Sequence, residues 1–268
     1  MKMTERASEV SSMDFIFSTA SLFQWELERI FNLACLAGFS GVELMVTKRP
    51  ETQSPEEVGR LAERYGLRVD CIHAPFLMAA RKVWGDYRGK LRRSLEMARH
   101  LGAGVVVAHL PYFWQWQYAL WVRRDMESMH DNRDVCLALE NAMLLKLRRP
   151  LNFSLYNSLP ALAGFPHLVF DTSHFAVAGV DIFEAWDTLK DRVRHVHLSN
   201  NYLKGFDDHA LPFEGRLPLD RFLRLLSTNG YRGKVSLELG PGPLEARLGE
   251  KRVLANLRRS LEFCLQSV

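Results

Sequence analysis

From residue 14 onward, short apolar runs alternate with longer stretches of helical period. The runs at 14–18 (DFIFS), 41–46 (GVELMV), 67–73 (LRVDCIH), 104–109 (GVVVAH), 135–140 (VCLALE), 167–171 (HLVFD), 193–198 (VRHVHL) and 234–239 (KVSLEL) have the length and β-branched content of buried strands. Between them, apolar residues recurring three and four apart predict helices over 22–37, 55–65, 86–101, 118–130, 181–190, 218–229 and 247–266, with a weaker one near 154–163. Gly38, Gly66, Gly102 and Gly230 stand where helices should stop. Continuously apolar strands imply a parallel sheet covered by helices. Eight βα units in 268 residues favour closure into a single (β/α)8 TIM barrel. The open doubly wound alternative lacks its signature, because no GxGxxG follows the first strand. The expected organisation is one domain over 1–268, with the barrel proper at about 14–266 and residues 1–13 as an N-terminal extension.

Composition agrees with that picture: 47% hydrophobic and 25% charged residues suffice for a large core without an excess of polarity. Cys35, Cys71, Cys136 and Cys264 are scattered and form no CxxC pair, which reads as reduced thiols, with packing the role of Cys71 and Cys136 inside strands. No apolar run approaches the roughly 18–20 residues of a membrane span, and the opening MKMTERASEVSSM is polar, so a cytoplasmic location without membrane partners is expected. The net charge of +4 is spread along the chain. That suits a solvated surface and anionic substrates and does not require nucleic acid.

Candidate chemistry lies at the strand ends. Strand three ends at His73, four at His109, five at Glu140, six at Asp171, seven at His197 and eight at Glu238. In a barrel these ends converge on one mouth. His174 follows in DTSH, and Asp207 and His209 follow strand seven in DDHALPFEG. Imidazoles and carboxylates are the ligands of Zn²⁺ or Mn²⁺, a carboxylate such as Glu140 can bridge two ions, and nine ligands suffice for two or three. Glu43, in GVEL, is expected to make a supporting hydrogen bond. The segment 111–121 (PYFWQWQYALW) holds six aromatic residues in eleven. Such a cluster is either core or a wall that covers substrate, with Phe113, Trp114 and Trp116 as the substrate-binding candidates. Lys204 is a further one, and Arg81 and Lys82 offer charge in the loop after His73.

GVEL (41–44), HAPF (73–76), HLP (109–111), LEN (139–141), FDTSH (170–174), HLSNN (197–201), DDHALPFEG (207–215) and LELG (237–240), in this order, resemble the sugar phosphate isomerase/epimerase and endonuclease IV superfamily of xylose-isomerase-like barrels. The resemblance runs over about 14–262. It implies a metal held by Glu140, Asp171, His197 and Glu238, as in the epimerases of that superfamily. The endonuclease IV branch implies a trinuclear zinc site that adds His73, His109, His174, Asp207 and His209.

Two chemistries follow from the resemblance. In the first, a divalent ion chelates the carbonyl and adjacent hydroxyl of a small sugar or sugar phosphate and stabilises an enediolate, while Glu140 and Glu238 remove and return a proton. In the alternative, the cluster activates water to hydrolyse a phosphodiester in abasic DNA. Against the alternative, the loop after strand two (TKRPETQSPEE) is of mixed charge, and the closing motifs depart to HLSNN and LELGPG. A barrel that binds a metal or metabolite without turnover is a third reading, which the intact Glu140 and Glu238 oppose.

Overall fold

The computed structural model describes residues 13–75, 80, 82–130, 134–142, 145–146 and 150–268. Phe76, Arg81 and the expected extension up to residue 12 lie outside them. Among the described residues, eight parallel strands close into a barrel in chain order, with β1 completing the circle beside β8. They are β1 (Asp14–Ser18), β2 (Gly41–Met45), β3 (Arg68–His73), β4 (Val105–His109), β5 (Cys136–Glu140), β6 (Leu168–Asp171), β7 (Val193–Leu198) and β8 (Lys234–Leu237). Each lies inside the run that predicted it. The last is shorter at its end, so Glu238 stands one residue past its strand.

The helices are α1 (Leu27–Ala37), α2 (Pro55–Tyr65), α3 (Tyr87–Leu101), α4 (Trp116–Arg124), α5 (Leu159–Leu162), α6 (Thr172–Ala178), α7 (Ile182–Leu189), α8 (Leu219–Thr228) and α9 (Glu250–Gln266). The helix expected from residue 22 begins only at Leu27, because Thr19–Leu22 form a 3-10 turn that closes the barrel rim. There Thr19 Oγ1 accepts the Met45 N–H and Ser21 Oγ accepts that of Leu239. The expected helix 118–130 instead starts at Trp116, stops at Arg124 and resumes as a 3-10 turn over Met126–His130. The weak helical pattern near 154–163 is helical only over Leu159–Leu162. Phe153, just before it, and Leu155 bond to the loop after β4, with Phe113 N–H on Phe153 O at 2.9 Å and Leu155 N–H on Pro111 O at 2.7 Å. Gly66 and Gly102 cap α2 and α3 at φ of 63° and 73°, a left-handed conformation that strains any residue with a Cβ.

Large apolar side chains such as Phe17, Phe31, Phe170 and Phe222 fill the layer between strands and helices. The barrel interior is floored by smaller ones: Ile16, Cys71, Val107, Ala138 and Val169. Cys71 is packed there, and burial pushes its thiol well up. Two β-bulges set which side chains face inward. Asp70 is an extra residue in β3 opposite the Val42–Glu43 step, and Arg194 is an extra residue in β7 opposite Leu168–Val169. Each keeps partners in phase, so Glu43 lies beside Cys71, Val169 beside His195 and Asp171 beside His197. No helix among the described residues is long and apolar enough to cross a membrane.

Candidate metal centre

All nine strand-end and loop residues singled out in the sequence gather at the mouth, in three groups that share members. Neighbouring registers begin it: His109 pairs with Glu140, and Asp171 with His197. Ligand atoms of Glu140, Asp171, His197 and Glu238 all lie within 4.8 Å of one another, as do those of His73, His109 and Glu140, and those of Asp171, His174 and His209. Asp207 joins the third group, with Oδ2 2.9 Å from His209 Nε2 and 3.3 Å from His174 Nε2.

Glu140 faces two ways. Its Oε1 is 2.8 Å from His197 Nδ1 and 3.6 Å from His174 Nδ1, while Oε2 is 3.4 Å from His109 Nε2 and 3.7 Å from His73 Nε2. Such a carboxylate can serve two ions at once. Burial opposes its ionisation, but His197, with His73 and His109, holds it well below the usual range. Burial raises Asp171 to about 6 against the pull of His174 and His209. It also lowers His109 to about 4, although Glu140 is near. For His209 the balance is reversed: burial disfavours its charge, yet Asp207 first and then Asp171 and Glu238 push it up to about 10.

The donor set fits transition-metal cations. Among the described residues no lysine or arginine pairs with Glu140, Asp171, Asp207 or Glu238, so imidazoles alone stand against four carboxylates. His197 Nδ1 lies 2.8 Å from Glu140, 2.7 Å from Glu238 and 3.7 Å from Asp171. Its single hydrogen serves Glu140, and Asp171 Oδ2 and Glu238 Oε2 remain buried without a hydrogen bond. Buried carboxylate oxygens without a hydrogen bond are costly unless a cation meets them. The imidazoles are also oriented for ligation. His73 Nδ1–H donates to Ala74 O at 3.0 Å and His174 Nδ1–H to Asn141 O at 2.7 Å, which leaves each Nε2 facing the cluster.

Several supporting residues were not evident in the sequence. Asn141 ties the ends of β5 and β6: its Oδ1 accepts the Asp171 N–H at 2.7 Å and its Nδ2 donates to Asp171 O at 3.0 Å. Ser173 Oγ donates to Asp207 Oδ1 at 2.7 Å. His195 reaches Glu43 inside the barrel at 2.7 Å. Asn141, as the last residue of LEN, and Ser173, within FDTSH, stood inside quoted motifs.

The aromatic run divides. Tyr118 and Trp121 are core, at 2% and 6% exposure, whereas Phe113, Trp114 and Trp116 are 59%, 46% and 62% exposed. Trp114 stacks on Tyr112 with centroids 4.8 Å apart and meets the Phe113 edge at 4.7 Å. These rings stand on the loop after β4, which begins immediately past His109. Lys204 is exposed on the loop after β7, with its ammonium 5.6 Å from the Tyr202 ring. Lys82 is exposed.

Comparison with known proteins adds to this geometry. An uncharacterised protein of Mycobacterium leprae is 30% identical over 92% of this chain and 94% of its own length. Fructoselysine 3-epimerase of Escherichia coli O157:H7 is 24% identical over 72% of this chain and 59% of its own length. Among solved structures, a D-tagatose 3-epimerase-like protein superposes with a TM-score of 0.66 at 20% identity, over 95% of this chain and 99% of that one. The model of the xylose isomerase-like TIM barrel matches residues 31–263, and the chain belongs to that family.

Proposed function

We propose that the protein is a divalent-metal-dependent isomerase or epimerase of a small sugar or sugar phosphate, in which Glu140 and Glu238 transfer the proton. The observation that carries this reading is the convergence of both carboxylates on His197 Nδ1, at 2.8 and 2.7 Å. Two carboxylates so placed can take a proton from a carbon beside a carbonyl and return it, provided one is ionised when the other is not. A Zn²⁺ or Mn²⁺ ion held by Glu140, Asp171, His197 and Glu238 supplies Lewis-acid polarisation of the carbonyl. His73 and His109 with the far oxygen of Glu140, and His174 with Asp207 and His209, provide positions for further ions. Phe113, Trp114 and Trp116 stack on the apolar face of the sugar and exclude water, and Lys204 meets its anionic group. The likeness to an enzyme named for 3-epimerisation of a sugar derivative supports this reading.

A second reading, phosphodiester hydrolysis of abasic DNA, is favoured by one observation, the assembled third group of His174, Asp207 and His209. The deciding experiment incubates the metal-reconstituted protein in deuterated solvent with a panel of ketoses and sugar phosphates, and separately with an abasic-site duplex. Exchange of a carbon-bound hydrogen without strand cleavage is expected, and the opposite result overturns the proposal. Metal analysis of the same preparation should return more than one equivalent of Zn²⁺ or Mn²⁺.

A further inference from the structure

Glu43 lies within the barrel, fully buried, and among the described residues no lysine or arginine pairs with it. Its Oε2 accepts two hydrogen bonds, from His195 Nε2 at 2.7 Å and from His197 Nε2 at 3.0 Å. The two histidines stand two residues apart on β7, so both point inward, one beneath the other, with perpendicular rings 5.2 Å apart. Among the described residues, His195 Nδ1 makes no hydrogen bond, so the side chain of His195 is held by Glu43 alone. The other nitrogen of His197 faces Glu140, Glu238 and Asp171.

An imidazole that commits one N–H to a carboxylate is fixed in tautomer and ring angle, and its other nitrogen gains basicity as a ligand. We infer that Glu43 and His195 are positioning residues for the inner metal position: Glu43 keeps the Nε2–H of His197, so that the hydrogen a metal ion displaces is the one on Nδ1, which is aimed at Glu140, Asp171 and Glu238, and His195 pins Glu43 in place. This rests on the metal reading of that ligand set. The effect is local. Neither Glu43 nor His195 bonds to His174, Asp207 or His209, so the outer position serves as an internal control.

The test compares wild type with Glu43→Gln, His195→Phe and His195→Gln. Each is titrated with Zn²⁺ against a chromophoric chelator, and the downfield imidazole N–H protons are followed by ¹H NMR. Glu43→Gln keeps side-chain volume and should weaken the inner ion about 10- to 100-fold with the outer ion unchanged. It should also shift the His197 N–H signal upfield, because a neutral amide is the weaker acceptor. His195→Phe should weaken the same ion less, and His195→Gln, which restores a donor toward Glu43, should recover part of the loss. Wild-type inner affinity in both Glu43→Gln and His195→Phe would overturn the inference alone, as would equal weakening of inner and outer ions. A wild-type protein that takes up no transition metal would remove the metal reading, and this inference with it.

Discussion

Glu140, Asp171 and His197 are the last or near-last residues of barrel strands, whereas His174 stands in the first turn of α6 and Asp207 and His209 in the loop after β7. The first set is positioned by strand register, so its members cannot separate without opening the sheet. The second depends on a few side-chain bonds: Ser173 Oγ–H to Asp207, His174 Nδ1–H to Asn141 O, and His209 Nδ1 3.0 Å from both Ser199 Oγ and Glu238 O. His209 also has φ of 41°, a left-handed conformation of the kind that stores about 1–3 kcal/mol in a non-glycine residue. Proton transfer is sensitive to small displacements, so the rigid set, joined by Glu238 one residue past β8, is the better place for it, and the loop-borne set is the more easily altered.

The sharpest way to break that contrast is a pair of substitutions. Glu238→Gln removes basicity but keeps an oxygen, and it should lower hydrogen exchange at the substrate carbon by about 10²–10⁴-fold. His174→Ala should empty only the outer position and leave a partly active enzyme. Measured side by side with metal content checked, comparable collapse of both would promote the phosphodiester reading. A smaller effect separates rim from core within one aromatic run. Trp121→Ala should destabilise by about 3–5 kcal/mol, as large buried aromatics do. Trp114→Ala and Trp116→Ala should raise KM several-fold while Tm moves by about 1–2 °C, within the range of surface changes. Large Tm losses with unchanged KM would place those rings in the core instead.

The smallest effect is counted in protons. His209, at about 10 in the metal-free chain, is protonated at pH 7, and His174 is likewise held well above its ordinary value by Asp171 and Asp207 despite burial. Both must lose a proton to ligate, so filling the outer position should release protons and its affinity should fall as pH drops. His109, at about 4, is already neutral and should release none. Calorimetry in two buffers of different ionisation enthalpy measures the difference. Equal heats at pH 7 would show that these groups bind without releasing protons.

Much of this arrangement was legible because a buried parallel strand is both apolar and short, and because polar residues that end six consecutive strands have nowhere to go but one mouth. The supporting bonds were not. Asn141 and Ser173 act through backbone groups or partners in distant segments, which no local pattern encodes. His195 reads in VRHVHL as one more strand residue. Its function depends on Glu43, 152 positions away. The aromatic run read equally as core or wall; Tyr118 and Trp121 are core, since α4 begins at Trp116 and turns them inward, while Phe113, Trp114 and Trp116 stand exposed.

The bulge at Arg194 divides β7 into two segments of opposite phase. Strict alternation would put Val193 on the same side as His195 and His197, but the extra residue turns it outward into the apolar layer beneath the helices while both histidines stay within. A substitution at exposed Arg194 leaves that parity intact. Deleting it would make Val193 and His195 neighbours in a regular strand, with the valine still outside and both histidines still within, whereas one further residue inserted there would have to be absorbed by the bulge or would turn one segment over. At this position, then, the strand tolerates one residue more than the ladder needs, because the extra one is turned out to solvent.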